Sequence, residues 1–302
     1  MIGIILIIIL TFFFPGIINR TKSILSGRKG PVILQPMYDI RLLLNKKSIF
    51  SNTSSIITQV GPTIYFASIV TSLLFLPFGS YSSVINFDND FIYFIYILAF
   101  GKFFMVLTAL DAGSSFQGMG ASREVMYSML IEPAILILIG ALSMITGYTS
   151  FDEIFKFMDF TNNSYYLVTI ICCYILVKFA MVENSRLPID DPKTHLELTM
   201  VHEVMILDIS GFDLALIHFA NALKFTIFGS LIANCLFPPN SNILVLTLIF
   251  IVTQISFAVI IGFLESFNPR NKVVKNPQYL LTISAISLLA FVIALILTNK
   301  IT

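Results

Sequence analysis

The stretch "ILVLTLIFIVTQISFAVIIGFL", residues 243–264, contains no charged side chain from end to end. A helix rises 1.5 Å per residue, so about 20 residues are enough to cross a hydrocarbon core of about 30 Å. Strands of a membrane barrel are shorter and alternate between polar and apolar residues, which this run does not do. A backbone surrounded by lipid must satisfy its own hydrogen bonds, as a helix does. The stretch therefore predicts a membrane-spanning helix.

The rest of the chain repeats this pattern. Hydrophobic residues make up 57% of the 302 residues and charged residues only 12%, against about a quarter in soluble domains. The mean hydropathy is +0.90. We predict an all-α, polytopic membrane protein, a single integral membrane domain over 1–302, with the first run retained as an anchor. About eight transmembrane helices are expected near 2–18, 57–77, 91–110, 125–147, 164–182, 212–236, 243–264 and 278–299.

The connections between these spans differ in basic charge. Thirteen of the 18 lysines and arginines fall in alternate connections, and only two fall on the opposite side. An excess of Lys and Arg marks the cytoplasmic side of a membrane protein. We therefore expect a multi-pass protein of the cell membrane with both termini outside. Its cytoplasmic loops are expected at 19–56, 111–124, 183–211 and 265–277.

Three lysines and one glutamate lie within the predicted spans: Lys102, Glu132, Lys178 and Lys224. Ionisable groups in a membrane interior are costly and mark ion paths or relays by default. Lys178 is close enough to the end of its span to extend its ammonium group to the interface. Glu132 has too short a side chain for that, so paired burial or a water-filled cavity is expected. A proton relay is favoured over a purely structural ion pair.

The segment "RLPIDDPKTHLELTMVHEVMILD", residues 186–208, is unusually rich in carboxylates. Asp191 followed by proline is typical of a helix start, and Gly211 of a stop, so we predict a helix through to Asp208. At 100° per residue its polar residues form two opposite stripes, of which Glu203 belongs to one and Glu197 and Asp208 to the other. An ordinary surface helix has one polar face. We therefore expect one stripe to face protein, where burial raises carboxylate pKa values.

Several familiar kinds of site are not supported by the spacing. His202 and Glu203 begin like a zinc-protease motif, but Ile206 stands where the second histidine would be. Cys172, Cys173 and Cys235 match neither a metal spacing nor a disulfide framework. We predict no metal site, no catalytic centre for covalent chemistry and, with a net charge of +1, no role in nucleic-acid binding.

Three ordered stretches resemble a known family: "GRKGPVILQPMYDIRLLLNKK" (27–47), "LDAGSSFQGMGASREVMYSMLIEP" (110–133) and "ENSRLPIDDPKTHLELTMVHEVMILDISG" (183–211). They are similar to signature blocks of the membrane subunit shared by respiratory complex I and the group 4 energy-converting, membrane-bound NiFe hydrogenases. In complex I this eight-helix subunit forms the quinone chamber, and in formate hydrogenlyase it is called subunit 4. The resemblance extends along nearly the whole chain.

The resemblance implies a coupling subunit that binds no cofactor of its own. The implied partners are a hydrogenase-like large subunit, a small iron–sulfur subunit and antiporter-like membrane subunits, with iron–sulfur clusters, and in some relatives a NiFe centre, in those partners. Together with the chemistry above, it suggests these relay or coupling residues: Glu124, Glu132, Glu183, Arg186, Asp190, Asp191, Glu197, Glu203 and Asp208. Residues expected to dock the peripheral subunits are Arg28, Lys29, Gln35, Asp39 and Arg123. Arg186 is expected to pair with Glu183, three residues away.

Departures from the family pattern favour the hydrogenase branch. The quinone-reducing relatives carry glutamates where this chain has Lys193 and His195, and "EYSG" where it has "DISG". A quinone-binding subunit of a complex I-type dehydrogenase remains the alternative. A free-standing secondary transporter is a further alternative, although no repeat relates the two halves of the sequence. Purification in mild detergent separates these classes, because a transporter would be active alone.

Overall fold

The computed structural model describes residues 2–51, 54–157, 163–190, 200–237 and 242–298, and its regular structure there is helical, without named strands. A short 3-10 turn, Val273–Lys275, precedes the last helix. The helices are α1 (Ile2–Thr11), α2 (Phe14–Leu25), α3 (Gln35–Leu44), α4 (Ile56–Leu73), α5 (Asp90–Asp111), α6 (Ser115–Thr146), α7 (Phe151–Lys156), α8 (Asn163–Glu183), α9 (His202–Met205), α10 (Gly211–Leu236), α11 (Ile243–Phe267) and α12 (Asn276–Leu297).

The helices match the predicted spans closely. Within the described residues, six helices are long and apolar enough to cross a membrane: α4, α5, α6, α10, α11 and α12. The predicted first span is a pair, α1 and α2, bent by 45°. Pro15 explains the bend, because its ring clashes with the carbonyl four residues earlier, on Thr11, where α1 ends. The predicted fifth span coincides with α8. The prediction of an all-α polytopic membrane protein is confirmed.

Helix α10 lies at the centre of the bundle. It packs against α1, α3, α4, α8 and α11. In its most apolar stretch 78% is buried, against 28% in the corresponding stretches of α11 and of the last span. Small residues permit this close packing. A Cβ atom on Gly229 would overlap the side-chain amide of Gln254 on α11. The central position of α10 places several of its polar residues, Lys224 among them, in the protein interior.

Two sequence predictions of local structure were wrong. The expected loop 111–124 is mostly helix, because α6 begins at Ser115 and continues unbroken to Thr146, with Pro133 inside it. The predicted helix through Asp208 is not present over 200–208, where α9 is a single turn and residues 206–208 form a turn. The Asp190 carboxylate accounts for the start of α9 at His202, because it accepts hydrogen bonds from the backbone N–H groups of Val201 and His202, at 2.8 and 3.2 Å. The N-terminal part of that prediction, 191–199, lies outside the described residues.

Candidate functional site

Lys102 lies at the centre of a buried charge cluster. Its Nζ donates hydrogen bonds to Glu183 Oε1 at 2.5 Å and to Ser128 Oγ at 2.9 Å. The same nitrogen is 3.8 Å from Glu124 Oε1 and 3.9 Å from Glu132 Oε1. Three helices supply these groups: α5 the lysine, α6 two carboxylates and the hydroxyl, and α8 its last residue. One ammonium group therefore contacts three carboxylates.

A second lysine shares one of these carboxylates. Lys224 Nζ, on α10, is 3.3 Å from Glu183 Oε2 and 5.5 Å from the ring centre of Tyr65. The side chains of Lys224 and Glu183 are each only 5% exposed. Glu183 thus bridges two ammonium groups, near the middles of α5 and α10. When every group is ionised, the three carboxylates exceed the two lysines by one negative charge, which burial makes costly.

The spacing of residues on α6 explains how it meets Lys102. Glu124, Ser128 and Glu132 are four residues apart, and side chains at this spacing lie on one face of a helix. That polar stripe faces Lys102 on the neighbouring α5. Sequence reasoning selected the two glutamates but missed Ser128, although the four-residue spacing was a signal for it.

Hydrogen bonds between neutral groups link Tyr65, the aromatic neighbour of Lys224, to His202. The Tyr65 hydroxyl donates to Asn221 Oδ1 at 2.6 Å, and Asn221 Nδ2 lies 3.1 Å from His202 Nε2. Because the amide nitrogen can only donate, His202 Nε2 must accept, and the histidine is neutral with its proton on Nδ1. Burial, aided by the positive charge of Lys224, lowers the pKa of His202 to about 3, which agrees with the neutral form. Sequence reasoning did not select Tyr65 or Asn221.

The hydrogen-bond chain ends at a cavity of about 420 Å³. It is lined by residues of α2, α3, α9, α10 and the turn after α8, of which Asp39, Arg186, His202, Glu203 and His218 are ionisable. Burial raises the pKa of Glu203 to about 7, nearby Asp190 adds to the shift, and Arg186 opposes it. A carboxyl group with this pKa exchanges protons near neutral pH.

Arg186 has a different partner from the one expected. Its guanidinium lies 3.5 Å from Glu265 Oε1 and 5.2 Å from the ring centre of Phe225, while Lys22 Nζ is 2.8 Å from Glu265 Oε2. The expected pair with Glu183 is not formed, because α8 ends at Glu183 and the helical three-residue spacing does not continue beyond it. Glu183 is instead bonded to the two interior lysines.

Asp190 joins the connection after α8 to the connection before α12. Its Oδ1 accepts a hydrogen bond from Arg270 Nη2 at 2.7 Å, while its Oδ2 accepts the backbone bonds of the α9 turn. The carboxylate is fully buried. In this structure Asp190 organises the wall behind the cavity.

The remaining predicted residues are dispersed. Asp208 is exposed. Lys178 lies 5.7 Å from the ring centres of both Tyr174 and Tyr279, and is therefore held by aromatic faces. Asp191 and Glu197 lie outside the described residues, as do Lys193 and His195.

The expected docking residues fall into two groups. Arg28 and Lys29 are exposed, and so are Gln35 and Asp39, whose side chains are hydrogen-bonded at 2.9 Å. Arg123 instead turns inward and donates to the backbone carbonyl of Met200 at 2.9 Å. Four of the five therefore lie on an accessible surface.

The cysteines and carboxylates do not assemble a metal centre in the described part of the chain, where no group of three or more His, Cys, Asp or Glu side chains could hold an ion. Cys172 and Cys235 are buried and their sulfur atoms are 3.9 Å apart. They lie in the apolar core between α8 and α10.

Fold and site together define a helical, polytopic membrane protein with a buried ion cluster next to a polar cavity. A family model described as "NADH dehydrogenase" matches residues 1–297, and the chain belongs to this family. Among curated relatives, it is 29% identical to hydrogenase-4 component C of Escherichia coli (strain K12) over 235 residues, 78% of this chain and 73% of that protein.

Two further relatives come from related complexes. Formate hydrogenlyase subunit 4 of Escherichia coli (strain K12) is 29% identical over 185 residues, 61% of this chain and 60% of that protein. A subunit of the NADH-quinone oxidoreductase of Flavobacterium psychrophilum is 24% identical over 197 residues, 60% of this chain and 57% of that protein. The chain is thus similar to membrane subunits of hydrogenase-related and quinone-related complexes.

A solved structure shares the fold. A chain in the membrane-bound sulfane sulfur reductase, an archaeal respiratory membrane complex, superimposes with a TM-score of 0.81 at 20% identity, and the match covers 96% of both chains. At this identity the likeness establishes the fold alone. These comparisons identify the chain as a membrane subunit of the kind found in respiratory complexes.

Proposed function

We propose that this chain couples electron transfer in a peripheral, hydrogenase-like iron–sulfur module to the translocation of protons or sodium ions across the cell membrane. The single observation that carries the proposal is the cluster of two lysines and three glutamates around Lys102 and Glu183. A purely structural pair needs one cation and one anion. This cluster has an excess carboxylate that can gain or lose a proton or a cation.

The cavity supplies the other end of the proposed coupling. Glu203 lines it, and the His202–Asn221–Tyr65 chain leads from it to the Tyr65 ring, whose centre is 5.5 Å from Lys224 Nζ. A change of charge at the cavity alters the electrostatic balance around Lys224, and through Glu183 around Lys102. Electron transfer in a docked module would provide such a change of charge. The chain itself does not need to carry the redox centre.

The proposed orientation follows from the loop charges. Both termini face outward, and the large connections, with exposed Arg28, Lys29, Gln35 and Asp39, face the cytoplasm. That side carries the cavity residues of α3 and α9. A large hydrogenase-like subunit and a small iron–sulfur subunit are proposed to dock on that side. They hold the clusters and, where present, the NiFe centre. Antiporter-like subunits complete the membrane part.

The test of coupling is Glu124→Gln in the complex purified from membranes and reconstituted into vesicles. Glu124 is 3.8 Å from Lys102 without a hydrogen bond to it, so the amide preserves shape and removes only charge. We expect electron transfer to continue while the initial rate at which the ion gradient forms falls by about tenfold or more, because about 1.4 kcal/mol on one step slows that step tenfold. The matched control is Asp88→Asn, an exposed carboxylate just before the first residue of α5. Unchanged gradients in both variants would refute the role of the cluster.

Purification tests the assignment of partners. In mild detergent we expect the chain to co-purify with subunits that contain iron–sulfur clusters, seen by their visible absorption. Recovery of the chain alone, with ion-exchange activity in vesicles, would establish the transporter alternative instead.

The cavity also favours a second candidate function, quinone binding. Its volume of about 420 Å³ lies within the usual range of about 300–1,000 Å³ for small-molecule sites. Apolar residues such as Leu43 and Phe225 line it together with the polar groups. Titration of the purified complex with a short-chain quinone and a quinone-site inhibitor decides between the two. Inhibition that Phe225→Ala relieves would support a quinone site.

A further inference from the structure

Lys178 differs from the other two lysines of the predicted spans in its partners. Lys102 and Lys224 both form ion pairs with Glu183. Lys178 has no carboxylate within ion-pair distance in the part of the chain that the structure describes. Its ammonium group lies instead 5.7 Å from the ring centres of both Tyr174 and Tyr279. An aromatic face attracts a cation but has no net charge, so the positive charge of Lys178 is left without a counter-charge there.

Lys178 is accessible from outside the helix bundle. It is partly exposed, and Tyr174, one turn earlier on α8, is 48% exposed. Ile170 and Leu167 are also open, at 69% and 50%. These four residues are three or four positions apart, so they form one face of α8. That face leads from an apolar end at Leu167 to a cationic end at Lys178.

The position of Tyr279 indicates the depth of Lys178 in the membrane. Tyr279 is the fourth residue of α12 and lies in its first turn, next to the basic connection 268–275. The Lys178 ammonium group is therefore near that end of the bundle. Leu167 precedes Lys178 by eleven residues, or about 16 Å along the helix, and one leaflet of a hydrocarbon core is about 15 Å thick. The exposed face of α8 thus has the length of one leaflet.

A second lysine lies on the same side of α12. Lys275 is the N-cap residue of α12 and has helical backbone angles, four residues before Tyr279. This spacing places the two side chains on one side of the helix. Lys275 is exposed. Lysines and arginines next to the cytoplasmic end of a span attract anionic lipid headgroups.

The neighbouring surface favours lipid over protein as the source of the counter-charge. Helix α12 packs against α6 and α8, and α11 packs against α2 and α10. Protein interfaces are enriched in aromatic residues and methionine. Beyond its first turn, α12 exposes large side chains of a different kind. They are aliphatic, as expected for contact with acyl chains: Leu281, Leu288, Leu289, Val292 and Ile296.

From these observations we infer that Lys178 and Lys275 bind the phosphate group of an anionic phospholipid, whose acyl chain lies along α8 from Tyr174 to Leu167. The phosphate oxygens accept hydrogen bonds from the ammonium groups and supply the negative charge that Lys178 lacks. The loop charges place this lipid in the cytoplasmic leaflet. None of these residues belongs to the ion cluster around Lys102, so the inference is independent of the proposed function.

The test places a photo-crosslinking amino acid, p-benzoylphenylalanine, at Ile170 in the complete complex. The complex is reconstituted into vesicles of equimolar phosphatidylglycerol and phosphatidylcholine. Ile170 is about 12 Å from Lys178 along α8, beside the inferred acyl chain. The control is the same probe at Leu248, which is 63% exposed on α11. Mass spectrometry of this chain after irradiation counts the adducts of each lipid.

The expected result is a preference for the anionic lipid at one probe only. At Ile170, phosphatidylglycerol adducts should exceed phosphatidylcholine adducts by about fivefold, the effect of roughly one lysine near an anionic headgroup. At Leu248 the two lipids should be linked equally.

Substitutions at Lys178 test the role of its charge. Lys178→Met should abolish the preference at Ile170, whereas Lys178→Arg should keep it. The matched control is Lys156→Met on α7, an exposed lysine that also lies over an aromatic ring, 5.9 Å from the centre of Phe157. It should leave the preference unchanged. If Lys178→Met fails to assemble, the comparison of the Ile170 and Leu248 probes in the otherwise unaltered complex still decides.

Three results would overturn the inference: equal adducts of the two lipids at Ile170, a preference that persists in Lys178→Met, or a crosslink from Ile170 to another protein subunit. Inorganic phosphate, exchanged for chloride at constant ionic strength, separates a lipid headgroup from a free anion. We expect no change in the preference, because the acyl chains hold the lipid in place. Loss of the preference in phosphate would assign the site to a free anion instead.

Discussion

Glu183 is the residue whose charge the interior most requires. It lies 2.5 Å from Lys102 Nζ and 3.3 Å from Lys224 Nζ. Lys102 also has Glu124 and Glu132 close by, but Glu183 is the one acidic side chain in ion-pair contact with Lys224 within the described residues. The substitution Glu183→Gln would therefore leave Lys224 as a buried cation without a counter-charge. Glutamine keeps the size of the side chain, so the change is electrostatic.

The magnitude follows from the distance. At an effective dielectric constant of 20, two unit charges 3.3 Å apart attract by about 5 kcal/mol. Removing one partner of a buried pair costs roughly 3–5 kcal/mol in practice. A loss of 1 kcal/mol lowers the melting temperature of a domain of 150–250 residues by about 2–4 °C, so we expect a fall of about 6 °C or more. Glu183→Gln combined with Lys224→Met should recover part of the loss, because the stranded cation is gone.

The assay is thermal unfolding of the detergent-solubilised chain, fused to a fluorescent protein and followed by size-exclusion chromatography. Asp88→Asn, an exposed carboxylate, is the control and should shift the melting temperature by about 1 °C or less. The reasoning fails if Glu183→Gln melts with the control, or if the Lys224→Met change adds to the damage instead of reducing it.

Two further predictions concern the pH response and the backbone. Because burial raises the pKa of Glu203 from 4.5 to about 7, the folded state resists its ionisation, and wild-type stability should fall as pH rises from about 4.5 to 7. Glu203→Gln should remove that part of the pH dependence; melting curves from about pH 5 to 8 that remain parallel for the two proteins would contradict the assignment. Gly211 has φ +58° and no room for a Cβ atom beside the Lys47 carbonyl, so Gly211→Ala should destabilise the protein by more than the roughly 1–2 kcal/mol of left-handed strain alone. Gly27, with φ +67° and open space around it, is the matched control, and an equal loss of stability in Gly27→Ala would show that the contact with Lys47 has no cost.

The fold was accessible from the sequence because lipid imposes a simple rule on it. Long uncharged runs such as 243–264 must be helices, and the structure has helices at the predicted spans. The bend between α1 and α2 was harder to foresee, since the hydropathy of 2–18 is continuous and only Pro15 interrupts it. The start of α6 was missed for the opposite reason. Its first turns, from Ser115, are too polar to resemble a span, although they are helical.

The site could be predicted only in part from the sequence. Ionisable residues in apolar runs are easily seen, and Lys102, Glu132 and Lys224 were selected on that basis. Their partners depend on which helices are neighbours, and sequence spacing does not provide that information. Arg186 illustrates the limit, because a helical spacing from Glu183 predicted a pair where the helix has already ended. Tyr65 and Asn221 were missed because neutral polar residues are common in spans and acquire a role only through contacts between α4 and α10.

The proline inside α6 affects how the helix can bend at Glu132, in addition to the charges that surround this residue. Pro133 has no N–H group, so the carbonyl of Met129, one turn earlier, lacks its usual helical partner, and the helix is most easily bent there. The part of α6 before Pro133 carries Glu124 and Ser128. Arg123, in the same part, donates a hydrogen bond to the Met200 carbonyl, next to the α9 turn. A small rotation of this part of α6 would lengthen or shorten the 3.9 Å distance between Glu132 Oε1 and Lys102 Nζ. Helix α6 therefore bends most easily beside Glu132, the carboxylate with the longest ion-pair distance to Lys102. A movement of the α9 turn would be transmitted along α6 and would change that distance.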